Sequence, residues 1–193
     1  MRYTGIAQTG ERLLELLQKE MVPEAVSHAK QIGLCAPPER GDYLVGIWLY
    51  DIRECTELRS HRMVTLDSER QRYPSTYVNL YYMITAYSDG DIKYRARQEA
   101  QMLGKIIQTL KDAAVIDCGG MSGGRDEPAS QIVQLDLPME DKLRIYHVPD
   151  GSYKTSLFYE IGPVELESEK ERSVRRVVDV SYTLEETKPR RVR

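Results

Sequence analysis

Two stretches of the chain are rich in β-branched and aromatic residues yet lack the apolar and polar alternation of a half-buried strand. In Tyr43 to Ile52, YLVGIWLYDI, one face would carry Tyr43, Val45, Ile47 and Leu49, and the other Leu44, Trp48, Tyr50 and Ile52. Tyr77 to Tyr87, YVNLYYMITAY, again has apolar or aromatic groups on both faces. Both read as central strands that need cover on each side. Helical periodicity comes from two other segments. Between Glu11 and Met21, the residues Leu13, Leu14, Leu17 and Met21 recur at steps of three and four, and Pro23 stops the helix. Beyond the turn signal Asp89-Gly90-Asp91, the series Ala96, Ala100, Leu103, Ile107 and Leu110 predicts the longest helix, laid against the sheet.

The remaining segments are shorter. CAPPERGD, beginning at Cys35, favours an extended or turning path, and the polar stretch from Arg53 to Arg72 has no clear period and reads as an exposed connection. DCGGMSGGRDEPAS, from Asp117, is a loop by composition. QIVQLDL follows as a strand with Val133, Leu135 and Leu137 on one face, and Pro138 opens a short helix using Met139, Leu143 and Tyr146. KTSLFYEI predicts a strand ending near Gly162-Pro163, where the missing proline N–H implies an edge, a bulge or an exit from the sheet. In VVDVSYTL the residues Val178, Val180, Tyr182 and Leu184 alternate cleanly, giving a last strand with one wet face. The strands do not alternate regularly with helices. The expected class is therefore α+β, a mixed and largely antiparallel sheet flanked by helices, with another copy of the chain covering what the helices do not.

Composition restricts the partners. With 27 basic and 30 acidic side chains in 193 residues, the net charge of −3 provides no general attraction for nucleic acid or anionic lipid. The start of the chain lacks the apolar core of a signal peptide, and no stretch approaches the roughly 20 apolar residues of a membrane span, so synthesis in the cytosol is expected. Cys35, Cys55 and Cys118 are scattered, without CxxC spacing, and read as plain thiols in a reducing compartment.

Candidate chemistry is sparse. GGMSGGR lacks the GK[ST] ending that would hold phosphate and magnesium, and reads as a flexible loop. His28, His61 and His147 are far apart, and Cys55 with His61 cannot fill a tetrahedral metal site. No GxSxG is present, Ser156 falls inside a strand, and Glu140 with Asp141 suits the positive end of a short helix. Neither a catalytic site nor a cofactor is expected. The compositional oddity is tyrosine, with 13 copies against one Phe and one Trp, a residue suited to cores with wet margins and to protein interfaces. KPRRVR, Lys188 to Arg193, is a compact cationic tail, either solvated or a strap onto acidic groups of a neighbouring subunit.

YLVGIWLYDIRE after PPE, then VNLYYMITAYS, EAQMLGKIIQTLKD and DLPMEDKLRIYHVPDGSYKTSLFYEIGPVEL follow one another in the order and spacing of a known family. From about Glu11 to Tyr182 the chain resembles the cap, or tube-terminator, family of contractile injection systems, which are phage-tail-like particles. Cys55 stands where an asparagine is expected after the Arg-Glu pair, Tyr146 where a tryptophan is common, and the chain is expected to lack the C-terminal extension of longer members.

The resemblance implies a fold like phage tail terminators, a single tube-terminator-like domain over 1–184 and a basic tail over 185–193. It further implies a structural protein, not an enzyme. Such proteins form a hexameric ring on the last layer of inner tube and sheath, here in a cytoplasmically assembled particle. The subunit or sheath contacts it suggests are Val178, Val180 and Tyr182 of the last strand, with Lys188, Arg190, Arg191 and Arg193 of the tail; the polar segment from Arg53 to Arg72 is a second candidate. Two alternatives stand beside it: an enzyme or small-ligand domain with CGGMSGGRD as a lid, and a tail-completion protein of an ordinary contractile phage.

Overall fold

The computed structural model describes residues 3–116, 130–146 and 152–173. Helix α1 spans Gly5–Met21 and buries Leu13, Leu17 and Met21 completely, the stripe that the periodicity predicts. It begins six residues before Glu11, in a stretch with two glycines that is weak in helix propensity. Close packing explains this early start. A Cβ on Gly5 would lie 3.1 Å from the Glu165 carbonyl oxygen, so only a residue without a side chain brings the helix this near the sheet.

The main sheet has six strands in the order β1-β2-β5-β8-β7-β6. These are β1 (Ile32–Leu34), β2 (Val45–Glu54), β5 (Thr76–Ala86), β6 (Val115–Ile116), β7 (Ser130–Gln134) and β8 (Ser156–Leu166). Only β1 and β2 are parallel; every other pair is antiparallel. Helix α2 (Ile92–Ala113) follows β5 and is capped by Asp91, whose carboxylate accepts from the Lys93 amide. Helix α3 (Met139–Ile145) separates β7 from β8. The class is α+β, as the sequence predicts.

Two differences from the expected elements have identifiable causes. First, β8 does not end at Gly162-Pro163 but runs on to Leu166, with those two residues bulged opposite the single residue Asn79. The ladder donor that proline lacks falls in the bulge. Second, the stretch after Arg53 is only partly irregular. β2 extends to Glu54, and β3 (Val64–Thr65) and β4 (Arg70–Arg72) join β9 (Glu171–Ser173) in a second, three-stranded antiparallel sheet. A largely buried ion pair, Arg72 to Glu167 at 3.0 Å, fastens β4 to the chain that leaves β8.

Helices α1 and α2 cover one face of the large sheet. Against them lie Val45 and Ile47 of β2, Leu80, Tyr82 and Ile84 of β5, and Tyr159, Ile161 and Val164 of β8, all buried. The opposite face has a smaller core of Met83, Phe158 and Tyr146, roofed by Leu135, Leu137, Ile145 and Tyr153 from the α3 region. The chain thus covers most of both faces itself, leaving less apolar surface for a second copy than its strands suggest.

Candidate interaction surface

Past the α3 roof, the second face of the sheet opens to solvent, and a bulge in β2 decides what it displays. The register shifts between Leu49 and Asp51, leaving Tyr50 as the extra residue. Strict alternation would put Ile52 beside Trp48 and Tyr50. The bulge instead pairs Ile52 with Leu80, on the helix-covered side, and Arg53 with Asn79, on the open side.

The result is an aromatic row with polar margins. Tyr50 packs edge-on to Phe158 at 5.8 Å between ring centroids, and lies 6.2 Å from both Trp48 and Tyr81. The Arg53 guanidinium stacks 4.8 Å above the Tyr81 ring and donates to Asp51 at 2.7 Å. Asn79 donates to Glu160 at 2.7 Å, and Val133, paired with Glu160 across the β7/β8 ladder, is 48% exposed. Burial pushes the Tyr50 phenol up to about 12, against the pull of Arg53; burial and then Glu160 raise that of Tyr81. Both stay neutral at ordinary pH. Half-covered Trp and Tyr beside Arg, on a flat strand surface, is the composition of protein-binding hot spots.

A second group of side chains fixes the far edge of this face. Buried Tyr87 is flanked by the Arg40 guanidinium, 4.6 Å from its ring centroid, and the Lys154 ammonium at 5.7 Å. Lys154 pairs with Glu99 of α2, whose carboxylate also accepts from the Ser88 amide. This ties the start of α2 to the strand ends.

The fold and this surface can be set against known proteins. Residues 8–179 match the model of the Pvc16 N-terminal domain. The chain belongs to that family. No curated protein sequence matches. Among solved structures, this Pvc16 N-terminal domain is similar to the sheath/tube terminator of an extracellular contractile injection system, PVC, in its extended state, with a TM-score of 0.69 and 18% identity over 94% of the present chain. It is also similar to the tube-terminating cap of the anti-feeding prophage, with a TM-score of 0.63 and 19% identity over 95% of the present chain. It spans 64% and 63% of those two chains, slightly under two thirds of each.

Several sequence-predicted features of the Pvc16 domain lie outside the described residues: Val178, Val180, Tyr182, Lys188, Arg190, Arg191, Arg193, the CGGMSGGRD loop and His147. Among the described residues no group of three or more His, Cys, Asp or Glu could hold a metal ion. His28 and His61 are exposed, and Ser156 is a buried strand residue bonded to Thr85 at 2.8 Å. Glu140 and Asp141 open α3 and face Arg144 of the same helix. An open groove of about 530 Å³ between α1 and the β1/β2 edge is walled by Ile6, Leu34, Leu49 and Tyr82, with Glu39 contributing its one carboxylate. The aromatic row itself was hidden in the sequence inside an apolar strand, since the bulge that sorts its faces leaves no local mark.

Proposed function

We propose that the chain is the cap of a contractile injection particle, a structural protein that ends the inner tube and sheath as a homo-oligomeric, hexameric ring. One observation carries this reading: nearly the whole chain superposes on a sheath/tube terminator and on a tube-terminating cap, two proteins with the same role. Its partners are other copies of itself and the tube and sheath subunits of the particle, assembled in the cytoplasm, with no reaction assigned to it. The open aromatic face around Tyr50, Tyr81 and Arg53 is one docking surface. Val178, Val180, Tyr182 and the basic residues Lys188 to Arg193 are proposed as further contacts. The test is electron microscopy of particles assembled with and without the chain. Loss of uniform tube length and of sheath retention is expected in its absence; particles of normal length and intact sheath would refute the cap role.

A further inference from the structure

The outward side of α2 has no partner among the described residues. No residue from Ile92 to Ala100 is buried, and the buried stripe begins only at Met102. Steps of four and three residues from Lys93 select Arg97, Ala100, Gly104, Ile107 and Lys111, one continuous stripe of the kind that seats another helix. Ile107 is 38% exposed, and a Cβ on Gly104 would meet nothing within 4 Å. Three cations stand on this stripe, and none is paired with an acidic side chain among the described residues. Lys93 and Arg97, four residues apart, repel each other in the free chain.

Helix α1 carries the complement. Glu11 and Glu15 are exposed, also four residues apart, and neither is paired among the described residues. Lys19, the next residue at that spacing, is turned to Glu20 at 3.7 Å. The two patches do not face each other within one chain. α1 starts against Glu165, at the end of the sheet where Thr76 pairs with Leu166, whereas α2 starts beyond Ala86, at the opposite end of β5.

We propose that the outward stripe of α2 docks on α1 of a second copy, with Lys93 and Arg97 against Glu11 and Glu15. Two separate patches of opposite sign make a head-to-tail contact, the kind that repeats around a closed ring. Pairing α2 with α2 would instead set cation against cation. Ile107 supplies apolar footing between the charged ends, and Ala100 and Gly104 leave room for a helix to approach. This inference rests on the ring reading and says which surfaces close it.

Sedimentation velocity on the full chain tests it through charge exchange. The wild-type chain is expected to self-associate at micromolar concentration in low salt and to dissociate as salt screens the contact. Lys93→Glu with Arg97→Glu, or Glu11→Lys with Glu15→Lys, should each weaken association on the order of tenfold or more. An equimolar mixture of the two variants should recover it, because each altered patch then meets its complement. Circular dichroism checks folding, and Lys93→Gln with Arg97→Gln replaces the reversal if that variant unfolds. A wild-type chain that stays monomeric, variants that associate like wild type, or a mixture that does not recover would each overturn the contact. Variants that self-associate normally but release the tube would also overturn it, assigning the stripe to the tube. The cap reading is judged separately, by particles lacking the chain, so this contact can fail while that role stands.

Discussion

At Gly162 the missing side chain is what allows the bulge. A Cβ there would lie 2.3 Å from the Asn79 side-chain oxygen and 3.1 Å from the Asn79 Cα, so alanine must displace backbone as well as a flexible amide. Gly162→Ala should therefore destabilise the fold by about 1–3 kcal/mol, measured by urea unfolding, and Asn79→Ala should relieve only the part due to the amide. The tyrosines make a second, titratable prediction. Burial raises the phenols of Tyr50, Tyr81, Tyr87, Tyr146 and Tyr159, that of Tyr50 to about 12. A phenol raised in the folded state binds protons that the unfolded chain has already released above about pH 10. Their contribution is complete below that pH and lost above it. Unfolding temperature should fall between about pH 10 and 12, and Tyr50→Phe should flatten that fall. Neither residue-scale effect could be read from sequence: Gly162-Pro163 signals an irregularity, but its identity depends on which residue lies across the ladder.

The elements were easier to recognise than to orient. Both helices and the two central strands stand where periodicity predicts, because strongly patterned segments bury their apolar faces in almost any fold. In α2 the phase differs. Ala96, Ala100 and Ile107 are exposed, and the buried set is Met102, Leu103, Ile106, Thr109 and Leu110. The helix carries two overlapping stripes, one of larger side chains against the sheet and one of small and basic residues facing out, and a count of apolar spacings mixes them. Truncation separates the two. Leu103→Ala should cost about 2–4 kcal/mol and Ile107→Ala clearly less, since Ile107 already meets water; chemical denaturation of the two variants reads the difference. The short helix behaves similarly. Tyr146 is buried as predicted, but Met139 and Leu143 are about half exposed, so α3 roofs the sheet mainly through its C-terminal end.

For the whole molecule, the sheet has one face largely covered by α1 and α2, with a groove beside α1, and one face open at its margin. The helix-covered face holds the larger buried core. The open margin, where Tyr81 and Arg53 stack outside the α3 roof, contributes little to the core. Replacing both with alanine should leave the unfolding temperature within a few degrees yet, under the proposed cap role, weaken retention on the particle on the order of tenfold or more, as removal of aromatic and arginine hot spots does elsewhere. Gel filtration and particle co-sedimentation distinguish this from a folding defect. The α+β class was legible because unalternating strands and two amphipathic helices permit few layer arrangements. The three-stranded sheet was not, since β3, β4 and β9 are two or three residues each and β9 joins β4 across about a hundred positions of sequence.

Two helices that cover most of one side of the sheet have a bearing on timing. A chain that buries its main core under its own helices can form that core before it meets a partner. Under the proposed cap role, recruitment then becomes an encounter between ready-made parts, and the speed of ending a tube is set by how fast such parts diffuse to its tip.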